Sequence, residues 1–94
     1  MKEDIDLYSN PKIVYQKAKS IFGNNIDIKL STRKDKKYMI LNDDNKWVHF
    51  GEMGYEDYTK HNDIERLINF KKRNSKWKNA NKYSPAFLSY FLLW

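Results

Sequence analysis

The chain has 94 residues, with 18 lysines and arginines against 12 aspartates and glutamates, and its formal net charge is +6 at pH 7. This length predicts one small domain, residues 1–94, with a single hydrophobic core. Because cysteine is absent, a disulfide framework, a thiolate metal site and a cysteine nucleophile are excluded. Two histidines are too few for a three-histidine metal centre, and we predict no metal and no other cofactor.

The positive charge is concentrated at one end of the chain. Residues 1–65 hold 11 basic and 12 acidic residues, whereas residues 66–94 hold seven basic residues and no acid. Segregation of this kind favours a polyanion, an acidic protein surface or anionic lipid as partner. A charge that merely keeps a small domain soluble is the alternative.

The sequence shows neither a secretory leader nor a membrane-spanning segment. Residues 1–8 carry three acids and have no apolar region, and the longest apolar stretch is Ala86–Trp94. A spanning helix needs about 20 apolar residues. We therefore expect a protein that is not transmembrane and is not secreted through a signal peptide.

The first predicted element is a helix over about residues 10–22. Pro11 suits the first helical position, because its missing N–H costs nothing there, and Ser9 or Asn10 can serve as the cap. Gly23 follows as a stop signal.

Three short strands are predicted next, as an antiparallel meander that needs a helix to cover one face. Trp47 and His49 should point to one face of the third strand, and Val48 and Phe50 to the other. The predicted strands are 26–31, Tyr38–Leu41 and Lys46–Phe50, joined by a turn over Thr32–Lys37 and a hairpin loop over residues 42–45.

A long basic helix is predicted to begin near Thr59–Asn62 and to end at about Trp77. Its predicted buried stripe is Ile64, Leu67 and Ile68, continued on one side by Phe70 and Trp77. After a polar connector over residues 78–83, a short apolar helix over Pro85–Leu93 should follow. The predicted fold class is therefore α+β, in the order N-terminal helix, three-stranded antiparallel meander, long basic helix and short apolar C-terminal helix.

Residues 49–73 and 84–94 contain an unusual pattern. It comprises His49-Phe50-Gly51, Gly54-Tyr55-x-Asp57-Tyr58-Thr59-x-His61-x-Asp63, Arg66, Arg73, Ser84, Ser89 and Leu92-Leu93-Trp94. The pattern resembles a family of small proteins from large double-stranded DNA viruses and some phages. The resemblance implies a viral origin, with a location in the virion or in the host cytoplasm or viral factory, and it implies no reaction.

A first hypothesis for the pattern is a metal or acid–base site. Two imidazoles and two carboxylates, from His49, Asp57, His61 and Asp63, could hold a divalent ion or act as a general base. Their spacing matches no established ligand pattern. We therefore favour a structural role for these four side chains.

A structural network is the preferred interpretation of the same region. In it the two helix arginines reach back to the aspartates, with tyrosine rings beneath the guanidinium planes. Alternatively, the arginines are free to bind phosphate. The network residues are Tyr55, Asp57, Tyr58, His61, Asp63, Arg66 and Arg73.

The basic segment after this network is the candidate anion-binding site. Each phosphate neutralised by a basic side chain adds a salt-dependent term that is independent of base sequence. Trp77 could stack on an unpaired base, although a core position is more usual for tryptophan. The candidate binding residues are Lys71, Lys72, Arg73, Lys76, Lys78 and Lys82.

The apolar C-terminal helix is interpreted by default as core. Its alternative role is docking on a larger assembly through Phe87, Phe91 and Trp94. From these features we predict a non-enzymatic viral accessory protein associated with the virion. It should bind nucleic acid non-specifically through its basic C-terminal third. The alternative is a minor scaffolding protein bound to an acidic capsid surface.

Overall fold

The computed structural model describes residues 3–94, so Met1 and Lys2, at the start of the acidic N-terminal segment, lie outside the described residues. The fold class is α+β, as predicted, with one three-stranded antiparallel sheet and helices before and after it. The elements are α1 (Pro11–Phe22), β1 (Ile28–Leu30), β2 (Lys36–Leu41), β3 (Trp47–Glu52), α2 (Tyr58–His61), α3 (Ile64–Arg73) and α4 (Pro85–Leu88). Short 3-10 turns cover Ile5–Leu7 and Ser75–Asn79, and a π-helical turn covers Ser89–Leu93.

Helix α1 begins and ends where the sequence predicts. Pro11 occupies its first turn, and Gly23 ends it with φ +100°, in a region that L side chains rarely adopt. Val14 and Ala18, four residues apart on one face, are fully buried. The helix thus contributes a narrow apolar stripe to the core.

The sheet has the order β1-β2-β3, and its register places the even-numbered side chains on the core face. Tyr38 pairs with Phe50, and Ile40 lies between Ile28 and Val48. Helix α1 and the C-terminal helix cover this face. The predicted alternation in β3 is consistent with this register.

The start of β2 and the end of β3 differ from the prediction. Strand β2 begins at Lys36, inside the predicted turn, and β3 continues past Gly51 to Glu52. Gly51 has φ +81°, and a Cβ atom there would lie 3.0 Å from Leu93 Cδ1 and 3.1 Å from Lys37 Cβ. Glycine therefore allows β3, β2 and the C-terminal helix to approach closely at this point.

The predicted long helix is wrong in its length and its start. Helix α2 ends at Asn62, which adopts a left-handed conformation with φ 55°, and a separate helix α3 follows. The Asp63 side chain caps α3, since it accepts the backbone N–H groups of Glu65 at 3.0 Å and Arg66 at 3.2 Å. Helix α3 ends at Arg73, and Trp77 lies in the following 3-10 turn.

The predicted buried stripe of α3 is wrong at Ile64 and Ile68. Ile64 is 56% exposed and Ile68 is 50% exposed, whereas Leu67 and Phe70 are partly buried. Side chains three residues apart lie on the same helix face, so Leu67 and Phe70 define the side that packs inward. This side of α3 packs against the C-terminal segment, because Phe70 stacks on Trp94. The two isoleucines are therefore left facing solvent.

The C-terminal helix is part of the core, as the default interpretation predicts. Ser84 caps α4 by accepting the Phe87 N–H at 3.2 Å, and Pro85 occupies the first turn. Leu88 and Leu92 are fully buried. Within residues 3–94, no helix is long and apolar enough to cross a membrane.

Candidate functional site

A cleft of about 530 Å³ lies between helix α3 and the segment that follows strand β3. Arg66, Phe70 and Arg73 line it from α3, and Trp77 lines it from the 3-10 turn. Glu52 and Glu56, on and after β3, also line the cleft, as does the buried pair Lys37 and Asp57. The lining therefore combines arginines, carboxylates and aromatic rings, and we call the α3 side with Arg66 and Arg73 the cationic wall.

Five rings form a continuous row of contacts, and three of them, Phe70, Trp77 and Trp94, line the cleft. The rings of Phe70 and Trp94 are stacked, with centroids 4.3 Å apart and an interplanar angle of 6°. Trp77 meets Phe70 edge to face at 5.8 Å, and His61 lies 5.1 Å from Trp94 and 5.9 Å from Tyr58. This aromatic row attaches the C-terminal helix to α2 and α3, so the wall is held in place by packing.

His61 has an unusual environment within this row. Its Nδ1 atom accepts the Asp63 backbone N–H at 2.9 Å, so in the neutral ring the proton is on Nε2. Nε2 is buried and has no hydrogen-bond partner. Burial, followed by the positive charge of Arg66, lowers the pKa of His61 below its ordinary value, and nearby carboxylates oppose the shift.

The predicted network between the helix arginines and the aspartates is not present. Within residues 3–94, neither Arg66 nor Arg73 forms an ion pair with Asp57 or Asp63. Asp57 pairs with Lys37, and Asp63 caps its own helix. Both arginines are exposed, about 10.5 Å apart along the helix axis, which leaves their guanidinium groups available at the cleft.

The true partner of Asp57 is Lys37, which the sequence analysis placed in a turn. Lys37 Nζ lies 3.1 Å from Asp57 Oδ2 and donates to the Tyr55 carbonyl at 2.6 Å. Lys37 is 2% exposed and Asp57 is 1% exposed. Burial lowers the pKa of Lys37, and the Asp57 charge opposes that shift. No spacing signal links two residues on separate elements, so this pair could not have been found from the sequence.

Asp57 also ends a buried chain of hydroxyl groups. Thr59 donates to Asp57 Oδ1, which commits its only proton, so Ser9 Oγ must donate to Thr59 Oγ1 at 3.2 Å. Tyr38 in turn donates to Ser9 Oγ at 2.7 Å, and burial raises the pKa of Tyr38 well above its ordinary value. We call this series of side chains the polar chain: Tyr38, Ser9, Thr59, Asp57 and Lys37. It connects Ser9, in the segment before α1, with strand β2 and helix α2.

The side chains of the alternative metal site are not brought together. His49 Nδ1 lies 2.6 Å from Ser31 Oγ, while Asp57 belongs to the polar chain and Asp63 to the α3 cap. In the part of the chain that the structure describes, no three histidines or carboxylates are close enough to share an ion.

The six basic candidate residues separate into two groups. Lys71 Nζ lies 4.7 Å from the centroid of the Tyr90 ring, and Lys82 Nζ lies 5.0 Å from that of Phe22. These two lysines cover aromatic surface on the core. The other four are exposed and form no ion pair within residues 3–94. We define the basic face as Lys72, Arg73, Lys76 and Lys78.

The residues considered for docking do not form an exposed apolar surface. Phe87 and Phe91 are partly buried and lie 4.5 Å apart, and Trp94 belongs to the aromatic row. The neighbouring Leu88, Leu92 and Leu93 are core residues. Most of the apolar area of this helix is therefore used internally.

The cleft and the polar chain lie mainly in a segment shared with other proteins, since a family model matches residues 26–74. The chain belongs to DUF5754, which is described as a family of unknown function. No curated protein and no solved structure matches the chain. The DUF5754 segment includes Lys37, Asp57, Arg66 and Arg73, whereas Ser9, Trp77 and Trp94 lie outside it.

Proposed function

We propose that the protein binds nucleic acid without sequence preference through the basic face. The observation that carries this proposal is the exposure of Lys72, Arg73, Lys76 and Lys78 on one continuous segment, unpaired within residues 3–94. Residues 66–94 contain no acidic side chain that could neutralise them. Cations that the fold leaves unpaired and close together create a local positive potential for a polyanion.

All 12 acidic residues of the chain lie before residue 66, so none lies within the segment that carries the basic face. Lys71 precedes this segment on α3. Burial lowers the pKa of Lys17, the positive charge of Lys71 lowers it further, and the Asp57 charge opposes the shift. Association with phosphates would release counterions from the nucleic acid, and this term is independent of base sequence.

The binding role proposed here is non-enzymatic. On the viral resemblance of residues 49–73 and 84–94, we propose that the bound polymer is a viral genome and that the protein is associated with the virion. An acidic capsid surface is the competing partner, although the core position of the C-terminal helix removes the apolar anchor considered for it. Co-purification with particles tests the viral assignment separately from the binding itself.

The test is the affinity for random-sequence duplex DNA at salt concentrations between about 50 and 200 mM. We expect the binding constant to fall steeply, with a slope that corresponds to roughly four or more phosphate contacts at about 0.9 each. The triple variant Lys72→Gln, Lys76→Gln, Lys78→Gln should lower the slope by about two to three. Absence of binding at low salt, or a flat salt dependence, would overturn the proposal and favour a protein partner.

A matched control distinguishes the position of the replaced lysines from the loss of net charge. Lys12, Lys34 and Lys46 are exposed on α1 and on the two turns of the sheet, away from the basic face in sequence. Their triple replacement by glutamine removes the same net charge. We expect the control to retain the wild-type slope to within about one contact.

A further inference from the structure

We propose that the cleft beside the basic face holds one unpaired nucleotide. Its phosphate would lie at Arg66 and Arg73, and its base would stack on Trp77. This inference rests on the proposed function, and it adds a ligand class that phosphate contacts alone would not select: single-stranded nucleic acid in preference to duplex.

The position of Trp77 in the aromatic row identifies it as the stacking ring. Trp94 has two aromatic neighbours, since it stacks on Phe70 and also contacts the His61 ring. Trp77 is at the end of the row, and within residues 3–94 its one ring contact is the edge-to-face contact with Phe70. It is only partly buried and it lines the cleft. Stacking on an aromatic ring is possible for any base, because every base has a π face.

The two arginines are the proposed binding site for the phosphate. Arg66 and Arg73 lie on the same wall as Trp77, and neither is neutralised by a carboxylate within residues 3–94. A guanidinium group can donate two parallel hydrogen bonds to phosphate oxygens. Because Arg73 also belongs to the basic face, a strand bound there continues directly into the cleft.

Acidic side chains also line the cleft. Glu52 is paired with Lys36, whereas Glu56 forms no ion pair within residues 3–94, so the Glu56 carboxylate can repel phosphate in its part of the cleft. Carboxylates can accept hydrogen bonds from base N–H groups, which a duplex has already paired. The volume of about 530 Å³ accommodates a ligand of nucleotide size. A paired base cannot enter this cleft unless it leaves the helix, which costs unstacking energy.

The experiment compares a mixed-sequence 12-nucleotide single strand with an abasic strand of the same length, at one low salt concentration. The two strands offer the same phosphates, so their ratio of affinities measures what the bases add. We expect the normal strand to bind roughly fivefold to a hundredfold more tightly, as one stacked base provides. Equal binding of the two strands would overturn the cleft proposal and leave the proposed function intact.

Two variants locate the effect. Trp77→Leu should reduce the ratio towards one, and thermal melting will show whether the variant is folded. Arg66→Gln should weaken both strands by a similar factor, because both offer the phosphate that Arg66 binds, and this exposed side chain has no carboxylate partner within residues 3–94 whose loss could unfold the domain. The triple variant of the basic-face lysines should weaken both strands equally. If no strand binds to the wild-type protein at low salt, the proposed function and the cleft proposal both fail.

Discussion

Asp57 accepts one hydrogen bond on each carboxylate oxygen, from Lys37 on one and from Thr59 on the other. Both charged groups are almost completely removed from solvent. The attraction between such a pair mainly offsets the cost of desolvating it, so its presence adds little stability. Removal of one partner is different, because the remaining charge stays buried without compensation.

This reasoning predicts a large effect for Asp57→Asn. We expect a loss of about 3–5 kcal/mol in the free energy of unfolding, measured by urea denaturation. The matched control is Glu52→Gln, which breaks the more exposed pair with Lys36 and should cost less than about 1 kcal/mol. A similarly small loss of stability in both variants would contradict the argument that Lys37 is left as an uncompensated buried charge when Asp57 is replaced.

His61 predicts a pH dependence of stability. Its pKa in the folded protein lies below the unfolded value, so the fold favours the neutral ring. The stability that the neutral His61 ring contributes is therefore fully present above about pH 6.5, and it is lost as the pH falls through the lower pKa of His61 in the folded protein. Protonation would place a charge next to Arg66 and the Trp94 ring.

The measurement is the melting temperature of wild type and His61→Gln between about pH 7.5 and 5. Wild type should lose more stability than the variant over this range. The difference between the two proteins isolates His61 from the other groups that titrate. Parallel curves for the two proteins would contradict the interpretation.

At the scale of elements, helix α3 and the C-terminal π-helical turn should respond differently to the loss of apolar side chains. Ile64 and Ile68 face solvent, whereas Leu92 is fully buried. The double variant Ile64→Ser, Ile68→Ser should change the free energy of unfolding by no more than about 1 kcal/mol. Leu92→Ala should cost about 2–5 kcal/mol, through lost burial and the cavity it leaves. If the double variant unfolds the domain in denaturant titrations, helix α3 does not pack as described.

The elements themselves follow closely from local sequence signals. Pro11 and Gly23 mark the ends of α1, and Ser84 with Pro85 marks the start of α4. The two-residue period of a strand predicts the faces of β1 and β3, whereas residues 38–41 of β2 are all apolar and show no alternation. These signals act within a few residues, so the sequence alone reveals them.

The orientation of α3 could not be predicted in the same way. A helical wheel places Ile64 and Ile68 at one side of the apolar stripe and Phe70 at the other, and either side could pack inward. The choice depends on Trp94, which is distant in the sequence and stacks on Phe70. For the same reason the predicted arginine–aspartate network was wrong, since Lys37 approaches Asp57 only after the sheet has formed.

At the scale of the whole molecule, the residues of the basic face are different from those that form the hydrophobic core. The acidic residues lie in residues 1–65, and the basic face lies on the acid-free segment that ends the chain. The core holds the sheet face, α1 and the C-terminal helix together, so the basic face contributes little to stability. Neutralising it should therefore alter binding without unfolding the domain.

The most direct test of the binding surface is to map backbone amide signals by two-dimensional NMR while a short mixed-sequence oligonucleotide is added at low salt. We predict that the largest shifts fall on residues 66–79, which carry the basic face and the cationic wall of the cleft. The hairpin loop over residues 42–45, at the other turn of the sheet, should not change. Shifts centred on that loop or on α1, or spread evenly over the molecule, would contradict the proposed surface.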